Sequence, residues 1–227
     1  MPHDVPHWPW EKVGADLFEL NNKDYLITVD YLSNFFEIYK LENTKASTVI
    51  RKLKSHFARY GTPDRVVSDN GPQFTSDKFE QFTKEWEFDH LTISPGNSKA
   101  NGKAESAVKT AKRLMRKAAD SGSDPYLALL DYRNTPTQGI GSSPAQRLMN
   151  RRTKTLLPTS SSLLQPRVSS SKDKHRKLVQ RQDNQAKLYN KSAKNLAAPA
   201  EGETVRMQPF KLGDKTWRKA TVLRQLV

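Results

Sequence analysis

Short apolar runs separated by polar turns dominate the first part of the chain. Three such runs, rich in Val, Ile, Tyr and Phe, predict β-strands at residues 13–20, 25–32 and 35–41. A turn signal, Asn21-Asn22-Lys23, separates the first two runs. Because the links are this short, we expect antiparallel hairpins.

The pattern then changes from the period of a strand to that of a helix. Apolar residues recur every three or four positions over residues 45–60, which predicts an amphipathic helix. Thr44 is the expected N-cap and Gly61 the expected C-terminal stop. The predicted buried face consists of Val49, Leu53, Phe57 and Tyr60.

Strand and helix patterns alternate in the next hundred residues. We predict strands at residues 65–69 and 90–93, a loop at 95–102, and helices at 76–86, 103–119, 126–132 and 144–148. Three antiparallel strands followed by alternating helices and strands indicate an α/β fold, with a mixed five-stranded sheet flanked by helices.

The chain changes character after about residue 157. We predict a core over residues 5–157, a linker with a basic helix over 158–200, and an incomplete β piece over 201–227. The linker begins with a stretch rich in Ser, Leu and Pro. Residues 172–194 then hold eight Lys and Arg against two Asp, which favours a basic, weakly amphipathic helix.

Composition excludes several classes of protein. Hydrophobic residues make up 35% of the chain, and no run approaches the roughly 20 apolar residues of a membrane helix. The N-terminus lacks the apolar region of a signal peptide, so we expect neither a membrane protein nor a secreted one. Cysteine is absent, which excludes disulfides, cysteine nucleophiles and Cys-containing zinc sites; no zinc is expected.

The positive charge of the chain is concentrated in its second half. The net charge is +14, yet residues 1–100 hold 12 Lys and Arg against 15 Asp and Glu. Residues 101–227 hold 26 against 9. This distribution favours a polyanionic partner, of which nucleic acid is the commonest; the alternative is a solvated basic tail.

Three acidic residues stand in contexts that suggest metal chemistry. Asp16 interrupts an apolar strand, Asp69 ends a strand before Asn70-Gly71, and Glu105 lies in the first turn of a helix. An unpaired buried charge is strongly unfavourable, so Asp16 needs a partner. A divalent cation suits several converging carboxylates, and two Mg²⁺ ions are the usual arrangement for phosphodiester chemistry.

The contexts of these acids resemble the integrases of retroviruses and Ty3/gypsy-type retrotransposons, the D,D-35-E family. Residues 10–17 (Trp-Glu-Lys-Val-Gly-Ala-Asp-Leu), 68–74 (Ser-Asp-Asn-Gly-Pro-Gln-Phe) and 101–105 (Asn-Gly-Lys-Ala-Glu) are similar to its three motifs. Thirty-five residues separate Asp69 from Glu105. The resemblance covers roughly residues 8–155 and implies an RNase H-like fold and a DNA integrase with two Mg²⁺ or Mn²⁺ ions.

The resemblance also implies roles for individual residues. Asp16, Asp69 and Glu105 would be catalytic and would bind the metal. The predicted DNA-binding residues are Asn101, Lys103, Lys109, Lys112 and Arg116. The sequence supports part of this set independently, because Glu105 and the last three follow one another at steps of 4, 3 and 4 and so share one helix face. A homo-multimer that acts in the nucleus, without a membrane partner, is also implied.

Two alternative functions remain open. The first is a truncated, catalytically impaired or domesticated integrase that acts as a DNA-binding or assembly module. Members of the family usually begin with a zinc-binding domain that uses two His and two Cys, which this sequence lacks. Its last residues also resemble only the start of an SH3-like barrel, and the loop before Glu105 has Gly96 and Ser98 where members carry an aromatic residue and a proline.

The second alternative is an RNase H-like nuclease. That chemistry takes a fourth acid from the helix after the third strand, and residues 45–60 contain none, which disfavours it. Asp30 follows Val29 on the second strand and is expected to face solvent by alternation. Trp8 and Trp10 are expected to anchor the N-terminal segment, with base stacking as the alternative.

Overall fold

The computed structural model of this protein describes residues 5–93, 102–166, 171–191, 199–207 and 217–223. Five strands form its main sheet: β1 (Lys12–Leu20), β2 (Lys23–Asp30), β3 (Phe36–Lys40), β4 (Arg65–Asp69) and β5 (Asp89–Ile93). Their order is β3-β2-β1-β4-β5. β1, β2 and β3 are antiparallel neighbours, whereas β4 runs parallel to β1 and to β5. The predicted mixed five-stranded sheet is confirmed.

The hairpin between β1 and β2 follows from its turn residues. Asn21 and Asn22 both have positive φ angles, of 52° and 54°. A two-residue turn of this kind matches the right-handed twist of the flanking strands, and Asn tolerates its backbone conformation better than most residues. The turn fixes the pairing of Leu20 with Lys23, and every later pair along β1 and β2 follows from it.

Helices cover both faces of the sheet. The helices are α1 (Ala46–Tyr60), α2 (Asp77–Glu85), α3 (Gly102–Asp120), α4 (Pro125–Asn134), α5 (Pro144–Met149), α6 (Ser161–Leu164) and α7 (Ser171–Asn190). Val13 and Ala15 of β1 point into the core shared with α1 and α2, whereas Phe18 and Leu20 point into the core shared with α3 and α4. The sheet is therefore the middle of three layers.

The predicted N-cap of α1 and the predicted exposure of Asp30 were both wrong, for physical reasons. Lys45, not Thr44, is the N-cap of α1; the Asn43 side chain instead accepts hydrogen bonds from Lys45 N and Thr48 Oγ1, at 3.1 and 2.8 Å. Asp30 is fully buried rather than exposed. Val29 and Asp30 point to opposite faces of the sheet. Because helices cover both faces, Asp30 is buried as well as Val29.

Asp30 organises the turn that follows β2. Its carboxylate accepts hydrogen bonds from the backbone N–H groups of Trp10, Leu32 and Ser33, at 3.0, 3.3 and 2.9 Å. Burial raises the pKa of Asp30, and these hydrogen bonds act in the opposite direction. Trp10 is buried, as predicted, but Trp8 is 51% exposed and does not anchor the segment.

A buried arginine holds the same turn from the C-terminal side of the core. Arg147 of α5 donates from Nε and Nη2 to the carbonyl oxygen of Ser33, at 2.9 and 2.6 Å. It also contacts the carbonyl of Ser142 and the hydroxyl of Thr137. Burial lowers the pKa of Arg147 to about 10. The turn after β2 is therefore fixed by one buried acid and one buried base.

By its contacts the chain divides into two units, Met1–Asn184 and Gln185–Val227. In the first unit, Leu178 of α7 is buried in a small cluster with Leu32 and Ile140. In the second, β6 (Thr204–Met207) and β7 (Arg218–Thr221) pair antiparallel. The predicted division at residues 157 and 200, and the SH3-like assignment, stay predictions.

Two smaller findings complete the fold. The sequence pattern did not predict α6, which is only four residues long. Within the described ranges, no helix is both long enough and apolar enough to cross a membrane.

The buried His56 generates a prediction about stability and pH. Its Nδ1 lies 2.7 Å from the Thr28 hydroxyl, and its Nε2 has no hydrogen-bond partner among the described residues. Burial lowers its pKa from 6.5 to about 4. Since the unfolded chain takes up the proton first, stability is complete above pH 6.5 and falls as the pH drops toward 4, by about 3 kcal/mol.

His56→Gln should flatten this part of the stability curve, since glutamine can still bond Thr28 but does not titrate. Urea unfolding of both proteins at a series of pH values measures the difference in slope. An unchanged slope in the variant would assign the acid sensitivity to other groups.

Candidate active site

Asp16 lies in the middle of β1, the central strand of the sheet. It points to the same side as Phe18 and Leu20, toward α3, and its side chain is half-buried. One carboxylate oxygen accepts a hydrogen bond from the backbone N–H of Leu17 at 2.8 Å. This hydrogen bond from the next residue holds the carboxylate in place through one of its two oxygens.

Asp69 is the last residue of β4, the strand parallel to β1. The ladder pairs Lys12 with Arg65 and Gly14 with Val67, so continuing the same register brings Asp69 level with Asp16. Asp69 is exposed, and its Oδ1 accepts the backbone N–H of Gly71 at 3.1 Å. The turn after β4 thus orients this carboxylate, as the Asp-Asn-Gly sequence suggests.

Glu105 reaches the site because α3 packs unusually close to β1. A Cβ placed on Gly14 would lie 3.3 Å from the Cβ of Ala104 and 3.2 Å from side-chain atoms of Tyr31 and Val29. The face of α3 on the sheet is otherwise built from small residues, since Ala107 and Ala111 are also buried there. A side chain at Gly14 would be in tight contact with Ala104, and Glu105 directly follows Ala104.

The negative charges of Asp69 and Glu105 both act on Asp16. The pKa of Asp16 is raised to about 6 by burial, and next by the negative charge of Asp69. The Leu17 N–H lowers this pKa, the charge of Glu105 raises it, and the ammonium of Lys112 lowers it. The structure therefore brings together Asp16, Asp69 and Glu105, all three acids selected from the sequence.

This donor set fits a hard divalent cation. Oxygen ligands from carboxylates are what Mg²⁺ prefers, and a cation would relieve the repulsion that raises the pKa of Asp16. Among the described residues, however, no group of three or more Asp, Glu or His side chains is arranged so that it could hold a metal ion. Each of the two aspartates instead accepts a hydrogen bond from a nearby backbone N–H, that of Leu17 for Asp16 and that of Gly71 for Asp69.

A row of basic residues runs along α3 from Glu105. Lys109 and Arg116 are exposed and Lys112 is half-buried, with its ammonium 5.7 Å from the centre of the Phe18 ring. This stripe is the one that the helical spacing predicts. A contact of these residues with DNA stays a prediction.

The two remaining predicted DNA contacts differ from this stripe. Lys103 is half-buried, and burial lowers its pKa to about 8 while nearby Asp30 acts in the opposite direction. The structure does not place Lys103 on the exposed stripe. Asn101 and residues 95–100 of the predicted loop lie outside the described residues.

Sequence reasoning missed two residues that shape the site. Gly14 and Phe18 stand two positions before and after Asp16, so the alternation of β1 puts all three on one side. A glycine inside a strand often marks a place where another element packs closely, so Gly14 could have indicated the contact with α3. Nothing in the sequence indicated that Phe18 would meet Lys112, because the two lie on different elements.

Removing one neighbouring charge should change the pKa of Asp16. Asp69→Asn removes the largest electrostatic contribution that raises it, so the pKa should fall from about 6 toward the ordinary value of 3.8. Burial keeps it above that value. Carbon-13 NMR of the carboxyl groups across a pH series measures this, with Asp64→Asn, an exposed acid just before β4, as the control. An Asp16 pKa unchanged by Asp69→Asn would mean that the two carboxylates are not neighbours.

Enlarging Gly14 should strain the contact between β1 and α3. Gly14→Ala should destabilise the fold by about 1–3 kcal/mol, the usual cost of overpacking. Gly102→Ala is a matched control: it lies in the same region of the fold, nothing comes within 4 Å of its added Cβ, and alanine favours a helix. Guanidinium unfolding measures both variants, and equal effects would show that the contact is not tight.

Comparison with known protein families bears on the same region. Residues 7–98 match the family model described as integrase core domain. An uncharacterized protein of Caenorhabditis elegans is 33% identical over 178 residues, which is 74% of this chain and 14% of that protein. The Pol-related polyprotein of a mouse intracisternal A-particle is 31% identical over 109 residues, covering 48% of this chain and 13% of the polyprotein. The chain thus spans about one seventh of the length of these relatives.

Solved structures share the fold. The catalytic core domain of BIV integrase matches with a TM-score of 0.55 at 21% identity, over 62% of this chain and 95% of that one. A chain of the simian T-cell lymphotropic virus intasome matches with a TM-score of 0.59 at 20% identity, over 74% and 62%. The HTLV-2 integrase core, solved with magnesium in a trimeric form, gives 0.52 at 18%, over 62% and 97%. The integrase core domain match over residues 7–98 and the retroelement polyprotein relative support a retroviral-type integrase catalytic core, and the solved integrase cores share its fold.

Proposed function

We propose that this chain is the catalytic part of a metal-dependent DNA integrase, a polynucleotidyl transferase that trims DNA ends and joins them to target DNA. The observation that carries the proposal is the environment of Asp16. A half-buried carboxylate with a pKa raised to about 6, beside two further carboxylates, is costly for a fold that makes no use of it. The integrase core domain match supports the same activity.

The chemistry assigned to the chain follows from its donor groups. Asp16, Asp69 and Glu105 would hold two Mg²⁺ or Mn²⁺ ions, which when bound supply charge stabilisation at the reacting phosphate. The protein itself carries these carboxylates on three different elements: the strand β1, the end of the strand β4 and the first turn of the helix α3. Water would be the nucleophile in end trimming, and a DNA 3′-hydroxyl in strand transfer; no covalent enzyme intermediate is needed.

The basic residues Lys109, Lys112 and Arg116 of α3 would set the direction in which the DNA runs away from Glu105. Glu105 and Arg116 are eleven residues apart, about 16 Å along a helix, which corresponds to roughly five base pairs of DNA. Lys109, Lys112 and Arg116 would therefore follow a phosphate backbone away from the scissile bond. Phosphate contacts of this kind position DNA without reading its sequence.

The biological setting is part of the proposal. The retroelement relatives and the sequence motifs support an element of the Ty3/gypsy or retroviral type. Joining two DNA ends requires more than one active site, which supports a homo-multimer, and DNA as substrate supports action in the nucleus.

One observation favours a second candidate, a DNA-binding or assembly module without catalysis. Among the described residues, no group of three or more Asp, Glu or His side chains is arranged to hold a metal ion, and the carboxylates of Asp16 and Asp69 accept hydrogen bonds from the backbone N–H groups of Leu17 and Gly71. An RNase H-like nuclease is less well supported. No acidic residue lies on α1, and Asp30, the remaining acid considered from the sequence, is buried with its oxygens bonded to backbone N–H groups.

A strand-transfer and disintegration assay separates integration from mere binding. Branched and blunt DNA substrates are incubated with Mg²⁺ or Mn²⁺ and with the wild-type chain or its Glu105→Gln variant. We expect metal-dependent joining by the wild type and a loss of at least a hundredfold in the variant, since a ligand of the proposed ions is gone. Asp120→Asn, at the far end of the same helix, is the matched control and should join DNA normally.

The outcomes discriminate between the candidates. Equal joining by wild type and Glu105→Gln would contradict the assignment of the three carboxylates. No joining by either protein, with DNA binding that weakens as salt increases, would support the binding module instead.

A further inference from the structure

A row of aromatic rings leads from Asp16 toward the surface of the protein. Phe18 lies two residues after Asp16 on the same side of β1, and its ring stacks on Tyr25 of β2 with centroids 5.2 Å apart and an interplanar angle of 14°. Tyr25 in turn lies within electrostatic range of Tyr126, at the start of α4. Two strands and a helix from distant parts of the sequence thus contribute to one row.

Core packing explains only the inner part of this row. Phe18 is 6% exposed and Tyr25 is half-buried against the core between the sheet and α3. Tyr126 is different, because 76% of its surface is exposed although it is a large aromatic residue. It contributes little to the core, so packing gives no reason for a tyrosine at this position.

Cations flank the row on both sides. The ammonium of Lys112 lies 5.7 Å from the centre of the Phe18 ring, and the same group lowers the pKa of Asp16. On the other side, Lys40 of β3 is paired with Tyr25 in the antiparallel ladder. Directly paired residues point to the same face of a sheet, so the exposed Lys40 stands beside Tyr25.

Rings next to cations, beside an exposed aromatic residue, have the chemistry that binds single-stranded nucleic acid. Bases stack on aromatic side chains whatever their sequence, and neighbouring lysines bind the phosphates between them. A protein partner would require a larger apolar surface, whereas here lysines border the rings. The charge therefore favours a nucleotide over a second protein.

We propose that Tyr126, which lies near Tyr25, stacks on an unpaired base at the end of a DNA substrate, while Lys112 and Lys40 bind the adjoining phosphates. This inference rests on the proposed function, because it places the frayed end of the DNA on the same side of the sheet as Asp16. The site would recognise an unstacked nucleobase and not a particular sequence.

The test compares two DNA duplexes of equal length, one blunt and one with a short single-stranded extension that carries 2-aminopurine. All proteins carry Glu105→Gln, so that the DNA is not consumed. Fluorescence anisotropy gives the affinity, and the 2-aminopurine emission reports stacking of the unpaired base. The variants are Tyr126→Ala, Tyr126→Phe, which keeps the ring, and Leu127→Ala, which changes the neighbouring partly exposed residue.

We expect Tyr126→Ala to weaken binding of the extended duplex about tenfold and to abolish the quenching of 2-aminopurine. Binding of the blunt duplex should change little, and Tyr126→Phe and Leu127→Ala should behave like the parent protein. Equal weakening for both duplexes, or no weakening, would overturn the inference. A Tyr126→Ala variant that changes only self-association in sedimentation velocity would overturn it in favour of a protein interface.

Failure of the proposed function would give a different result in the same experiment. If the parent protein binds neither duplex, both the inference and the proposed function fail. If it binds both duplexes equally well without quenching, and the wild type joins DNA, the inference alone fails.

Discussion

The site depends on one steric constraint, the close packing of α3 against β1. Gly14 has no side chain, and Ala104, Ala107 and Ala111 present only methyl groups, so the helix lies directly on the central strand. A side chain added at Gly14 would lie 3.3 Å from the Cβ of Ala104, so it would strain the contact between β1 and the start of α3. The small residues contribute little burial of their own, and the large rings elsewhere in the two cores supply the apolar area that stabilises the fold.

The short distance between helix and strand has an electrostatic cost. The close approach of α3 to β1 places Glu105 on the same side of the sheet as Asp16 and Asp69. Burial and the negative charges of the other two acids raise the pKa of Asp16. The fold limits this cost with local donors, the N–H groups of Leu17 and Gly71, and with the ammonium of Lys112. A cation bound between these carboxylates would relieve the repulsion that remains.

Much of this could be predicted from sequence, and the exceptions have a common cause. The strands and the main helices were predictable because period and turn residues are local properties. The motif contexts are local too, and they selected three acids that the structure places near one another. Asp30 was wrongly placed because alternation shows which side a residue faces but not whether that side is covered. Trp8 and Trp10 differ in burial for the same reason. The row of Phe18, Tyr25 and Tyr126 could not be predicted, since it joins residues about a hundred positions apart.

The central claim is that three carboxylates from three elements act as one cation-binding group. A titration with Mn²⁺, followed by carbon-13 NMR of the carboxyl groups, tests it directly because the paramagnetic ion broadens nearby resonances. The account predicts that the signals of Asp16, Asp69 and Glu105 broaden together and at the lowest Mn²⁺ concentrations. Broadening that begins at exposed carboxylates elsewhere, such as Asp64 and Asp89, while these three signals stay sharp, would contradict it.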